Sequence, residues 1–173
     1  MRESLELVLP NEHHREAVGE FKKDFAERGE ELHGAGTLDT DDFDTWLRQC
    51  RDYMVGENLP LGHIASTQYL CMRGGENLVG MLNLRHELTP ALSNRGGHIG
   101  YSVAHDWRGK GIGTRLLGLG IEKCRERGFD RVLVTCLESN VASARVIEKN
   151  GGVLEGRVRL ADGRPLQRWW IEL

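Results

Sequence analysis

Apolar and polar positions switch period several times along the chain, and each switch marks an element. Ile99, Tyr101 and Val103 alternate with small or polar neighbours, the period-2 pattern of a strand. Immediately afterwards Leu116, Leu117, Ile121 and Cys124 follow helical spacing, leaving Arg115, Glu122, Lys123, Arg125 and Glu126 for water. Upstream, Leu5 to Leu9 reads as a first strand stopped by Pro10. Asn11 is placed to cap a helix to about Arg28, with Ala17, Val18, Phe21 and Phe25 on one face. A glycine-rich loop, 29–37, leads to a second helix from Thr40 or Asp41 carrying the stripe Phe43, Trp46, Leu47, Cys50 and Met54. Strands are expected over 66–72 and 78–86, with Gly74-Gly75-Glu76-Asn77 as the hairpin turn between them. Residues 89–97 read as a connection.

Beyond Gly128 the run Arg131 to Leu137 reads as a buried strand, parallel to the 99–103 strand if the helix between them is a crossover. A helix opens at Asn140 and closes at Asn150-Gly151-Gly152. Residues 153–158 and 167–173 form a closing strand pair about Asp162-Gly163-Arg164-Pro165. The order implies one α/β domain over residues 1–173, with a mixed, mostly antiparallel sheet and helices on both faces.

Between the 99–103 strand and its helix lies Arg108-Gly109-Lys110-Gly111-Ile112-Gly113. Each glycine inside a helix costs about 1 kcal/mol against alanine, so three at alternate positions need a reason. The first four N–H groups of a helix have no intrahelical partner, and its amino end carries roughly half a positive charge. Glycines let those donors close around an anion such as a pyrophosphate, with Lys110 and Arg115 at the rim. A P-loop is excluded because Gly111, not Ser or Thr, follows Lys110. A dinucleotide fingerprint is excluded because Thr114 or Leu116 falls where its third glycine belongs.

The hexapeptide resembles the pyrophosphate signature Arg/Gln-x-x-Gly-x-Gly/Ala of the GNAT superfamily of N-acetyltransferases. The run Gly96-Gly97-His98-Ile99-Gly100-Tyr101 is similar to a bacterial subgroup of predicted acetyltransferases. The resemblance is strongest over 76–152, the expected acyl-CoA-binding core, with residues 1–60 as acceptor-side helices. It implies acetyl-CoA as cofactor, one splayed parallel strand pair holding the pantetheine arm, and an amine of a small molecule or peptide as acceptor. By position, Tyr101, Ser102 and Val103 would meet the pantetheine, with an N–H near Val103 polarising the thioester carbonyl. Arg108, Gly109, Lys110, Gly111, Ile112, Gly113 and Thr114 would hold the diphosphate. Asn140 matches the family asparagine that contacts the cofactor arm and also reads as a plain helix cap. Lys149 is a further candidate for the phosphates. Dimerisation is common in similar proteins, so a homodimer is expected.

With an amine pKa near 10.4, only about one amine in 2,500 is neutral at pH 7, equivalent to roughly 4.6 kcal/mol, so a general base is expected. His98 is the candidate, with Glu138 second. Arg85 and His86 are expected to bind the acceptor. The tyrosine that many family members carry seven residues after the asparagine is Ile147 here. Ser143, or Tyr101 through water, would assist the leaving thiolate instead. The same substitution favours a rival reading, a non-catalytic acyl-CoA-binding sensor or regulatory module.

Charge is uneven along the 173 residues. Residues 1–60 hold 7 Lys/Arg and 15 Asp/Glu, a balance of −8, against +5 in the remainder. The basic part suits a polyanionic cofactor; the acidic part suits a cationic acceptor or is a solvated helix face. There is no basic stripe with interleaved aromatics, which argues against nucleic acid, and no apolar run of membrane length. The N-terminus lacks signal-peptide character, so a cytoplasmic location is expected. The four cysteines form no Cys-x-x-Cys pair and the seven histidines no ligand spacing, so no metal is expected.

Overall fold

Strand alternation sorts the apolar residues into two cores, one on each side of a broken sheet. The computed structural model describes residues 4–173. Strands β1 (Leu5–Val8), β2 (Ser66–Arg73), β3 (Asn77–Arg85) and β4 (Ile99–Val103) form one sheet in the order β1-β2-β3-β4. Strands β5 (Arg131–Leu137), β6 (Val153–Arg159) and β7 (Pro165–Glu172) form another in the order β5-β7-β6. All ladders within the two sheets are antiparallel. β4 and β5, the pair expected to splay, belong to different sheets and meet in a single bridge between Gly97 and Val134.

Helices α1 (Arg15–Glu27) and α2 (Phe43–Val55) cover one face, where Phe21, Phe25, Trp46 and Leu47 pack on Leu70 and Met81. Helix α4 (Ile112–Glu126) covers the other, driving Leu116, Leu117 and Cys124 against Leu82, Leu84, Ile99 and Val134. Leu116 and Leu117 are fully buried, each stabilising the helix–sheet contact by about 1.5–3 kcal/mol. The approach is close: a Cβ on Gly120 would lie 2.5 Å from a Leu82 methyl, and one on Gly80 2.8 Å from both Leu116 and the Ser102 carbonyl. Helix α5 (Val141–Lys149) lies beside α4 and β5.

Caps set the helix starts. The Asn11 side chain accepts from His13 N–H and opens a 3₁₀ turn over Glu12–His14, so α1 proper begins later than the sequence pattern suggests. Asp42 caps α2 through Thr45 N–H, and Gly56, left-handed at φ 78°, ends it. The expected connection 89–97 contains a short helix, α3 (Pro90–Asn94). Thr89 caps it and Pro90, with φ already suited to a first helical turn, starts it. No helix among the described residues is long and apolar enough to cross a membrane.

Candidate active site

Backbone register at β4 creates the opening. Arg85 N–H donates to the His98 carbonyl at 2.8 Å, and Ala104 N–H donates to the Val79 carbonyl at 2.9 Å. Along an antiparallel strand the polar groups of alternate residues point to opposite sides. Even-numbered residues of β4 therefore satisfy β3, and the amides of Ile99, Tyr101 and Val103 point toward β5. Gly97, at φ 65°, and His98 break the register, because His98 N–H turns to the Leu133 carbonyl at 2.8 Å. Past that point no ladder joins β4 to β5. The gap is a cavity of about 320 Å³ whose walls include Tyr101, Thr135, Cys136, Asn140 and Ser143.

Beyond the end of β4, Gly109 and Gly111 sit at φ 72° and 77°, a left-handed conformation costing roughly 1–2 kcal/mol for a residue with a Cβ. Gly111 is the N-cap of α4 and offers no side chain to its amides. Among the described residues no group accepts from the amides of Gly109 through Thr114; the first engaged donor is Arg115 N–H, on the Gly111 carbonyl. A second cavity, about 560 Å³, opens over this turn, with Lys110, Arg115, Lys149 and Arg73 around it and no acidic side chain among the described residues of its wall. Arg73 stacks on Trp107 at 4.5 Å, and Lys110 lies 5.2 Å from the same ring. Free amides, a helix dipole and several cations fit a diphosphate ester. The turn is braced from behind: Asn150 Nδ2 donates to the Thr114 and Val146 carbonyls, at 3.1 and 2.9 Å, tying the start of α4 to α5.

Not every residue of the signature faces this cavity. Arg108 turns back, donating to the Val103 carbonyl at 3.0 Å and pairing with Glu30 at 2.5 Å. The guanidinium holds the Glu30 carboxyl below its ordinary pKa. Arg108 thus fastens the loop after α1 to the end of β4. Ser102 acts alongside it, donating to the His33 carbonyl at 2.6 Å, so its hydroxyl faces that loop and not the β4–β5 gap. Asn140 caps α5 through Ser143 N–H at 3.0 Å while also lining the gap. Tyr101 and Ser143 share a hydroxyl–hydroxyl hydrogen bond of 2.9 Å across it. Burial pushes the Tyr101 phenol up to about 12, against the opposing effect of the Ser143 bond.

His98 is elsewhere. Its ring is 8 % exposed, stands 5.1 Å from Phe129, and its Nδ1 accepts the Leu133 amide at 2.9 Å. Burial, with Arg85 and Arg131 nearby, lowers its pKa to about 4. That geometry fits a clamp joining β4 to β5, not the proton acceptor expected there, since the available lone pair is already used. Glu138 pairs with Arg157 and stands outside the cavity walls. His86 lies on the α4 side of β3, where its Nε2 meets Thr67 Oγ1 at 2.8 Å; burial and Arg127 lower its pKa. Its partner in the sequence reading, Arg85, does reach the site. Ile147 is fully buried in the α4 core.

A third cavity, about 370 Å³, lies under α2 and is lined by Trp46, Tyr53, Ile64, Leu92, Gln68 and Asn83 among others. Arg85 borders both this cavity and the β4–β5 gap. Sequence reasoning missed Glu31 and His33, which stand at the rim of the gap 3.6 Å apart, and Arg95 and Arg164 on its walls. One local signal was available. Gly34, at φ 69°, packs so tightly that a Cβ would lie 2.3 Å from the Gly100 carbonyl, and the Gly-x-Gly of 34–36 marks that contact.

The model of the acetyltransferase (GNAT) family matches residues 35–152 of this sequence. The chain belongs to the GNAT acetyltransferase family. It is thus an acetyl-CoA-dependent N-acetyltransferase. Solved structures share the fold. The Salmonella typhimurium acetyltransferase that modifies the N-terminal serine of ribosomal protein L7/L12 superposes with a TM-score of 0.71 at 21% identity, over 98% of this chain and 95% of that one. RimL, a ribosomal L7/L12 α-N-protein acetyltransferase in complex with coenzyme A, gives 0.73 at 19%, over 98% and 94%. The ribosomal-protein-S5-alanine acetyltransferase of Vibrio fischeri gives 0.74 at 15%, over 99% and 94%. Among curated proteins no sequence match is found.

Proposed function

We propose that this GNAT enzyme binds acetyl-CoA from the turn 108–114 along the β4–β5 gap and acetylates a primary amine of a small molecule or peptide presented from the α1–α2 side. The observation that carries the reading is two sets of unpaired amides in sequence, Ile99, Tyr101 and Val103 on β4 and Gly109–Thr114 at the start of α4, separated by the bonded amides of Ala104, Trp107 and Arg108. Acetyl-CoA, when bound, supplies an activated acetyl thioester. The amides of Tyr101 and Val103 offer donors to the arm and to the thioester carbonyl, and the turn amides with Lys110 and Arg115 take the diphosphate. Residues 1–60 shape the acceptor side.

The hydroxyl pair Tyr101–Ser143 lines the same gap. A phenol near 12 stays protonated at neutral pH, and proton transfer from it to a thiolate of ordinary acidity is uphill. Tyr101 therefore acts as a hydrogen-bond donor to the departing sulfur, which takes its proton from solvent. On the opposite rim, Glu31 and His33 form the exit for the amine proton, reached through water. Direct attack suits the thiols: burial raises Cys136 and lifts Cys50 and Cys124 to about 12, which disfavours a cysteine nucleophile. The neighbours that act on protein N-termini support a primary amine as acceptor. A homodimer and a cytoplasmic location belong to the same proposal, supported by the family resemblance and by four unbridged cysteines.

The test is thiol release from acetyl-CoA with the purified chain and a panel of primary amines. Release that requires an amine and falls at least 10-fold in Tyr101→Phe is expected. No amine-dependent release, with acetyl-CoA bound, would overturn catalysis and leave the acyl-CoA-binding module.

A further inference from the structure

The acceptor site is cationic, and its most buried charge has no counter-ion. Arg85 ends β3 at the junction of the gap and the cavity under α2. Its Nη1 donates to the Gly96 and Gly97 carbonyls, each at 3.0 Å. These two bonds fix the plane of the guanidinium and leave Nη2 and Nε without a protein partner among the described residues. No carboxylate among those residues stands within 4.0 Å of it, whereas Arg108 has Glu30 and Arg164 has Asp162. A side chain at position 100 would cover Arg85, since a Cβ there would lie 3.6 Å from Nη2; Gly100 leaves the fork uncovered. Arg95 adds positive charge to the wall of the gap, where Arg164 is paired with Asp162 and Glu31 is the one carboxylate among the described lining residues, and no described residue lining the cavity under α2 is acidic.

A half-buried guanidinium with half of its fork free is a receptor for a planar anion. A polyamine would have to bring two or more positive charges against Arg85 and Arg95, and a neutral amine would leave the fork desolvated and unsatisfied. Taken with the proposed amine acetylation, on which this inference rests, we propose that the acceptor is a small primary amine bearing a carboxylate, of the amino-acid class, whose carboxylate is held by Nη2 and Nε of Arg85. The side chain of that acceptor extends toward the cavity under α2, between Trp46, Tyr53, Ile64 and Leu92. Of the acidic residues in the N-terminal sixty, only Glu31 lines a cavity among the described residues, so the cationic acceptor that their number suggests is not what the cavity walls favour.

The experiment is a specificity comparison on the full chain with acetyl-CoA saturating. The twenty proteinogenic amino acids are tested beside spermidine and an N-terminal serine tripeptide. The best amino acid is then compared with its carboxamide and its decarboxylated amine. The expected result is a kcat/KM at least 30-fold higher for the acid than for either analogue, and higher than for spermidine or the tripeptide. Arg85→Lys should shrink the acid-to-amide ratio below about 5-fold through KM while coenzyme A affinity is unchanged. Arg95→Gln, at the exposed wall, should lower the ratio severalfold, a readout free of the carbonyl bonds that Arg85 also makes. Equal rates for acid and amide, or spermidine or the tripeptide as best acceptor, would overturn the inference while leaving amine acetylation intact. Acetyl-CoA binding with no turnover on any amine would overturn both. Calorimetric titration of the coenzyme A-loaded protein with the amino acid and its amide decides without turnover, since no preference for the acid also overturns the inference.

Discussion

His98 shows how one side chain can look chemical in sequence and be architectural in place. Its Nδ1 accepts the Leu133 amide beside the Gly97–Val134 bridge between the two sheets, in surroundings that hold its pKa near 4. An ordinary histidine in the unfolded chain titrates near 6.5, so between about pH 6.5 and 4 the unfolded state binds the extra proton. The contribution of His98 is thus fully present above pH 6.5 and is lost as pH falls through about 4, a change on the order of 3 kcal/mol. His98→Gln, whose amide oxygen can take over the Leu133 bond, should flatten denaturant-measured stability over that window and leave the pH profile of kcat/KM unchanged. A shifted kinetic profile would restore His98 to the chemistry. At the other end of β4, Gly111→Ala places a Cβ on a residue at φ 77° and should cost about 1–2 kcal/mol of stability and weaken coenzyme A binding about 10-fold by calorimetry. Unchanged affinity would show that the turn need not keep this shape to hold the diphosphate.

At the scale of elements, local pattern and long-range register divided the work. The strand–turn–helix of residues 99–126 was readable because alternation, glycine spacing and helical periodicity are all contained in the segment that uses them. Asn140 was readable as a cap for the same reason. Arg108 was misleading, because its bond to Glu30 spans a distance in sequence that no spacing rule registers. His86 and Arg85 are neighbours in sequence, yet strand pleating sends one toward α4 and the other into the site. The loop after α1 is the least legible part: its glycines announce a loop, but only the fold shows Gly34 lying on Gly100. Gly34→Ala should push that loop off β4. We expect KM for the acceptor to rise at least 10-fold with coenzyme A affinity kept, and equal KM would mean the loop does not shape the acceptor wall. Asn150→Ala removes two bonds between the start of α4 and α5 and should lower stability by about 1–3 kcal/mol in denaturant titrations.

The described molecule is two antiparallel sheets with no ladder between β4 and β5, joined through the core under α4, which takes Leu82 and Ile99 from one sheet and Val134 and Trp169 from the other. That gap is an unusual thing for a sheet to tolerate, since buried amides without partners are costly. Here the unpaired donors of β4 lie on the same side as a second set at the start of α4, and Lys110, Arg115 and Lys149 gather at that end. On the proposed function this arrangement is the binding surface for acetyl-CoA, with Lys110, Arg115 and Lys149 where the polyanion would lie. Titrating the pure, folded chain with acetyl-CoA in a calorimeter tests this most directly. Saturable heat at one site per chain, with a Kd in the micromolar range that weakens as salt is raised, is the expected result. A chain that folds cooperatively and releases no heat with either acetyl-CoA or coenzyme A would contradict it.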